Sequence, residues 1–466
     1  ESKDFIEVYS PIDLSLIGKV SKVPKEKAFE TIEKLYFASK KIKALSINER
    51  LKILKNLANE IENNKNELKE ILVLNNGKTN SQALSEIEAS VQRLIYADYD
   101  CEKLTSKSLD GSLIKGLEKY KAIVYRHGYN VILSIIPFNY PLFDSIQKIV
   151  PSFLVGASIL IKPPSSTCLP ILHLAKIMEN VFPKDSFAIL TVPGKEMKEI
   201  LQHELIDAIL LTGSYETGLE ISKYVGIKET FFELGGGDYA IVLKDANLKD
   251  AANKIVKGII SYSGQRCDAI KIIFAESEIY EELKNLLIQE LEKSVVVGDP
   301  RNEKVTVGPL IDLAAAELFE KAINDAKEKN CKLLFGGERN KNYVKPALIE
   351  ANKNVLPDLL IFKKEIFAPI AAIVKASAEE AIELANKRKY ALDACIFGKD
   401  YNRIIKIANE LEVNAIYVND FPKHGIGFFP YGGRKISGKG NNGIGFLIER
   451  TSSYKSIIFS FEWFHY

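Results

Sequence analysis

Three short stretches of this sequence hold residue types that can do covalent chemistry. In Ser263-Gly264-Gln265-Arg266-Cys267-Asp268-Ala269, a cysteine follows a glycine and an arginine just ahead of an apolar run. Small neighbours give access to the thiol, and a cation favours the thiolate, the nucleophilic form. The same residues also read as a loop around a small buried hydrophobe. In Phe232-Glu233-Leu234-Gly235-Gly236-Gly237-Asp238, a carboxylate ends a β-type run and enters a triple-glycine turn. Glycines let backbone approach a ligand closely and would set Glu233 at a strand end, where α/β sites form; the alternative is a hinge with a solvated glutamate. In Ile136-Pro137-Phe138-Asn139-Tyr140-Pro141, an asparagine is fixed between prolines. Its amide suits a developing oxyanion, a contact worth about 3 kcal/mol, or it shapes a turn.

Two more stretches suit anion binding. Lys162 leaves a strand end in Leu160-Ile161-Lys162-Pro163-Pro164-Ser165-Ser166, where a cation could meet a ribose or phosphate oxygen, although a lone lysine is commonly solvated. Leu211-Thr212-Gly213-Ser214-Tyr215-Glu216-Thr217-Gly218 reads as a strand, a turn and a helix start whose N–H groups could face a phosphate. It is not the GxGxxG fingerprint.

The elements that must position these residues alternate. Val131 to Ile136, Ser158 to Ile161, Phe187 to Thr191, Ala208 to Leu211 and Phe231 to Glu233 read as strands, with helical spacing in Leu169 to Val181 and Glu216 to Tyr224. That alternation predicts a doubly wound parallel sheet with ligands at the carboxyl strand ends. Leu54, Leu57, Ile61, Leu68 and Ile71 mark one or two amphipathic helices packed on it. After Tyr239 to Leu243 a second α/β alternation begins, with strands at Ala269 to Ala275 and Val413 to Val418 and helices at Glu281 to Lys293 and Leu313 to Lys329. Lys119 to Arg126 and the apolar tail Tyr454 to Tyr466 fit neither unit and read as strands of an oligomer contact.

Composition narrows the partners. Of 466 residues 46% are hydrophobic and 27% charged, which is globular composition. The 63 basic and 61 acidic residues leave a net charge of +2, so nucleic acid and membrane surfaces are not expected partners, and any anion must be met by local groups. Val131 to Ile161 is too interrupted by polar residues to span a membrane, and the amino terminus lacks a signal-peptide core. Five scattered cysteines without a CxxC pair argue against disulfides and metal sites, which makes a cytoplasmic location the expectation.

Taken in order, the five stretches resemble the aldehyde dehydrogenase superfamily. Further matches are Val297-Gly298-Asp299-Pro300, Val307 to Ile311, Glu365-Ile366-Phe367-Ala368-Pro369 and Pro430 to Gly438, so that the likeness runs from about Ala44 to Ser456. The resemblance implies a Rossmann-type cofactor domain (1–115 and 128–235), an α/β catalytic domain (236–435) and small β oligomerisation segments (116–127 and 436–466), assembled as a homo-oligomer, a tetramer in particular. It implies Cys267 as nucleophile, Glu233 as the deacylation base, Asn139 with the Cys267 N–H as oxyanion hole, and Lys148 as a proton relay. Lys162, Ser165, Gly213, Ser214, Gly218, Leu234, Glu365, Phe367 and Pro137 would bind NADP or NAD. Ser165 stands where NAD-specific members usually carry a carboxylate, so NADP is expected to be preferred.

Arg266 before the cysteine is similar to the non-phosphorylating glyceraldehyde-3-phosphate dehydrogenase branch, and Asp268-Ala269-Ile270-Lys271 looks like its archaeal members. In that branch an arginine and a tyrosine, here Arg266 and Tyr140, contact the substrate phosphate, with Asp268, Lys423 and His424 nearby. A guanidinium recognises a phosphate bidentately. The sequence departs where the branch often has another arginine: the aligned position is Ile95, with Arg93 close by. Arg266 alternatively orders its loop through a salt bridge. The expected reaction is oxidation of glyceraldehyde 3-phosphate to 3-phosphoglycerate. Alternatives are succinic semialdehyde or lactaldehyde, an acylating relative disfavoured by Glu233, or a non-catalytic relative disfavoured by the presence of Cys267, Glu233 and Asn139.

Overall fold

Apolar runs of this length bury both faces of a strand only inside a sheet covered on both sides. In the computed structural model, which describes residues 4–461, Val131–Ile135, Ser158–Lys162 and Ala208–Thr212 are buried at every position. They belong to a parallel sheet in the order Glu229–Glu233, Ala208–Thr212, Val131–Ile135, Ser158–Lys162, Phe187–Ile189. Chain direction across the sheet reverses at Val131–Ile135, and such a switch point opens a crevice at the carboxyl ends. Lys25–Ala44 packs on one face through Ala28, Ile32 and Leu35. Ile47–Asn63, Lys65–Asn76, Asn80–Ile95, Pro141–Leu154 and Leu169–Glu179 cover the other.

The spacing of Leu54, Leu57, Ile61, Leu68 and Ile71 resolves into two helices. A capping box between Ser46 and Glu49 starts the first, Asn64 separates them, and the break resets the register so that Leu72, not Ile71, is fully enclosed. The hairpin of Phe5–Tyr9 and Leu16–Ser21 and the helix Lys25–Ala44 had no expectation attached. That helix buries Ala28 and Ser39 among its larger residues, which weakens its apolar stripe.

The second sheet runs Lys332–Phe335, Ala347–Ala351, Ile370–Lys375, Ile270–Ala275, Asp238–Val242, Asp393–Phe397, Ala415–Val418, parallel except at Lys332–Phe335. Leu248–Ile260 and Tyr280–Ser294 cover one face; Leu313–Glu328, Ala378–Lys387 and Tyr401–Glu410 cover the other. A third, antiparallel sheet pairs Ser452–Ser460 along the whole of Tyr120–Gly128, with Lys107–Asp110 on its far side. The stretch 436–466 therefore divides: Gly438–Lys439 closes the edge of the first sheet against Glu229–Glu233, Ser452–Ser460 joins the third, and 462–466 lie outside the described residues. Among the described residues no helix is long and apolar enough to cross a membrane.

Candidate active site

Carboxyl ends of the first sheet and the loops before the second sheet's strands line one cavity of about 820 Å³. The triple-glycine turn joins the two halves. The Gly237 N–H donates to the Cys267 carbonyl at 2.8 Å, and the Asp238 N–H donates to the Ala269 carbonyl at 2.9 Å. Gly237 has φ of +95°, and a Cβ on Gly236 would sit 2.5 Å from the Cys267 carbonyl oxygen. The glycines thus serve close approach of Glu233 and Cys267, which a side chain at either position would prevent. Upstream, Tyr262 and Ser263 have φ of 46° and 54°. These conformations cost about 1–3 kcal/mol each. They are held by the Tyr262 hydroxyl donating to the Asn76 carbonyl at 2.9 Å and that of Ser263 to the Gly308 carbonyl at 2.9 Å.

Cys267 is half-buried and lines the cavity, while Glu233 and Asn139 are buried in its wall. The Cys267 Sγ, a Glu233 carboxylate oxygen and a His424 ring nitrogen lie within 4.8 Å of one another. Burial pushes the thiol well above its usual range, and the carboxylates of Asp268, Glu233, Glu365 and Asp238 push it further. The thiol therefore rests protonated and needs a base beside it. Glu233 accepts from Asn442 Nδ2 at 3.0 Å. Asn139 Nδ2 donates to the Gln265 carbonyl at 3.2 Å, which ties the asparagine to the cysteine loop and leaves a second amide hydrogen for a ligand. Lys148 is enclosed behind the cavity, donating to Thr212 Oγ1 at 2.7 Å; Thr212 is the strand partner of Glu233.

At the other end of the cavity Lys162 is 8% exposed and, among the described residues, has neither a hydrogen-bond acceptor nor an anionic partner. Burial lowers its affinity for the proton, with the Cys168 thiol opposing. Gly213 and Ser214 line the cavity nearby, Ser214 capping the helix Tyr215–Ser222 by accepting from the Thr217 N–H at 3.2 Å. Pro137, Leu234, Glu365 and Phe367 line it too, with the Phe367 ring edge-on to Phe138 at 5.6 Å. Glu365 accepts from the Gly236 N–H at 3.0 Å, and burial raises its pKa. Ser165 and Gly218 lie outside the lining. Ser166 lines the cavity in place of Ser165, and Gly218 makes room for Leu234, whose Cδ1 would meet a Cβ there at 2.7 Å.

Around Cys267 the cations are already paired. Arg266 donates to Asp268 at 2.7 Å and to the Pro422 carbonyl at 2.8 Å. Lys423 pairs with Asp420 at 2.7 Å, and His424 Nε2 lies 2.7 Å from Asp393 Oδ2. Tyr140 is half-buried with the Lys78 ammonium 3.7 Å from its ring centroid, and desolvation raises its hydroxyl's pKa. Arg93 is engaged bidentately by Asp100, and Ile95 is exposed; neither lines the cavity.

Several residues here escaped sequence reasoning. Glu86 lines the cavity, pairs with Lys78 at 2.5 Å and accepts the Leu142 N–H at 2.9 Å. Its signal was a carboxylate in helical step with Ala83 and Ser90 on the buried face. Asp393 opens the apolar strand Asp393–Phe397, a placement readable as a buried acid. Asn442 and Tyr431 lie in a glycine-rich loop and gave no such signal.

A sequence profile of the aldehyde dehydrogenase family matches residues 1–457. The chain is 33% identical to a lactaldehyde dehydrogenase of Methanocaldococcus jannaschii, covering 98% of each. It is 32% identical to an NADP-dependent glyceraldehyde-3-phosphate dehydrogenase of Streptococcus equinus, covering 98% of this chain and 96% of the relative. A crystal structure of a glyceraldehyde-3-phosphate dehydrogenase from Methanocaldococcus jannaschii complexed with NADP superposes with a TM-score of 0.91 at 33% identity, covering 98% of this chain and 99% of the other. An NADP-dependent glyceraldehyde-3-phosphate dehydrogenase from Bacillus halodurans, also with NADP, gives 0.94 at 30% identity, covering 98% and 96%. The chain belongs to the aldehyde dehydrogenase family.

Proposed function

We propose that this protein oxidises glyceraldehyde 3-phosphate to 3-phosphoglycerate with NADP, through a thioester on Cys267. The observation that carries the chemistry is the convergence of Cys267, Glu233 and His424 within 4.8 Å at one end of the shared cavity. Cys267 sulfur attacks the aldehyde carbon, and the growing oxyanion is met by the Asn139 amide and the Cys267 backbone N–H. After oxidation, Glu233 takes a proton from the water that attacks the thioester, releasing the carboxylate and restoring the thiol. Lys148, bonded to Thr212 beside Glu233, passes that proton on.

The far end of the cavity fits a dinucleotide: a buried lysine without an anion, a helix N-terminus, and a cleft between Phe367 and Leu234. Lys162 and Ser214 would hold the adenosine ribose and phosphates and Glu365 the second ribose; bound there, NADP supplies the hydride acceptor. Among the described residues no carboxylate is paired with Lys162, which favours the extra phosphate of NADP over NAD.

Glyceraldehyde 3-phosphate fits because Arg266, Tyr140, Lys423 and His424 line the cavity beside Cys267. Lactaldehyde is the second reading, favoured by the carboxylates already paired with three of those groups: a hydroxyl would bond there without displacing them. The test compares kcat/KM for glyceraldehyde 3-phosphate, lactaldehyde and succinic semialdehyde with NADP, in the wild type and in Arg266→Leu. The phosphorylated aldehyde should be preferred, and the variant should lose that preference; preference for lactaldehyde in both proteins selects the second reading. We also assign oligomer contacts to the third sheet, where Leu109, Ile123, Ile457 and Ile458 are exposed.

A further inference from the structure

We propose that His424, anchored by Asp393, is the standing positive charge that lets Cys267 become a thiolate. The inference rests on Cys267 being the nucleophile, but not on which aldehyde it attacks. His424 comes from the loop after Ala415–Val418. Its ring is stacked on Tyr431 at 3.8 Å with 15° between planes, and Nε2 lies 2.7 Å from Asp393 Oδ2 and 4.0 Å from Asp268 Oδ2. Stack and ion pair together fix the imidazole within 4.8 Å of both Cys267 Sγ and the Glu233 carboxylate. A group held this firmly can stabilise charge on sulfur without reorganising during the reaction.

The surroundings explain why such a cation is needed. The charges acting on His424 come from several neighbouring elements: Asp393 at the start of its strand, Asp268 of the cysteine loop, Glu233 at the end of the first sheet and Asp144 of the helix Pro141–Leu154, while Arg266 and Lys423 line the same cavity. Arg266 is paired with Asp268 and Lys423 with Asp420, while His424, paired with Asp393, borders both the Cys267 sulfur and the Glu233 carboxylate. Burial works against the imidazolium, but Asp393, then Asp268, outweigh it and hold the group protonated up to about 9. When Cys267 ionises, the S–H bond breaks, its proton passes to a solvent base, and the negative charge that forms on sulfur is met by the imidazolium within 4.8 Å, so His424 stays protonated throughout. Removing it would leave the Glu233 carboxylate beside the sulfur without that cation, raising the thiol further.

A charge that sets the ionisation of Cys267 acts in the free enzyme, whereas a role in substrate recognition would not show without substrate. The rate of Cys267 carboxamidomethylation by iodoacetamide, read on the Cys267 peptide by mass spectrometry across pH, reports thiolate directly. In His424→Gln the inflection should move upward by at least about one pH unit, so that the rate near neutrality falls about tenfold. His424→Arg, which keeps a charge, should restore part of that rate, and Asp393→Asn should move the profile in the same direction as His424→Gln by a smaller amount. An alkylation profile in His424→Gln that coincides with the wild type overturns the proposal, whatever happens to KM. If that variant fails to fold, the wild type decides: the ultraviolet absorbance of the Cys267 thiolate, taken as the difference from Cys267→Ser, must rise while His424 is still protonated. A thiolate that forms only after the imidazolium has lost its proton overturns it equally.

Discussion

The two ends of the cavity treat charge in opposite ways. Lys162 is buried with no anionic partner among the described residues, whereas Arg266, Lys423 and His424 each already hold a carboxylate. A lone buried cation is costly until a ligand neutralises it, so the Lys162 end is built to be completed by its ligand. At the Cys267 end the positive groups are oriented and balanced beforehand, and a substrate anion must share or displace Asp268. Strong anion binding is therefore expected at one end, and graded selectivity at the other.

The largest effect should come from neither cation. Glu233→Gln should lower kcat for aldehyde oxidation by about 10²–10⁴-fold, measured as steady-state NADPH formation. Next, Lys162→Met should raise KM for NADP about ten- to a hundredfold, as for a charged hydrogen bond worth about 1.5–3 kcal/mol, with a smaller change for NAD. Equal changes for both cofactors would remove Lys162 from recognition of the extra phosphate. Asp268→Asn probes the balanced end and should lower KM for glyceraldehyde 3-phosphate about fivefold, since Arg266 would no longer be shared. An increase would mean that Asp268 chiefly orders the loop.

The smallest effect is on stability. His424 has its pKa lowered by burial but raised more strongly by Asp393 and Asp268, reaching about 9 against an ordinary 6.5. A raised histidine pKa in the folded chain means that this contribution is complete below about pH 6.5 and fades as pH rises through about 9. Thermal unfolding of the wild type should weaken over that window relative to His424→Gln, which lacks the group; parallel curves would show that the ion pair contributes nothing.

The two ends also differ in how legible they were. The parallel sheet was readable because its strands are buried on both faces and so appear as continuous apolar runs, and Lys162 stands out at the end of one. The register inside Lys65–Asn76 was not, because a break at Asn64 falls within a spacing that one longer helix would also satisfy. The cysteine, the glutamate and the asparagine were visible as residue types in unusual turns, and Arg266 and His424 as cations near them. Their partners were harder to see: Asp393 lies 125 positions beyond Asp268, and only the folded second sheet brings both to one imidazole. Spacing along the chain locates a reactive group, but the charge it experiences is set by residues distant in sequence.

The most direct measurement is to trap the intermediate. Glu233→Gln mixed with glyceraldehyde 3-phosphate and NADP, then quenched and digested, should yield the Cys267 peptide carrying the 3-phosphoglyceroyl group as a thioester, with one NADPH formed per acylated site. A Cys267 peptide that stays unmodified while NADPH is formed, or an acyl group found on Cys101, Cys168, Cys331 or Cys395 instead, would contradict the account.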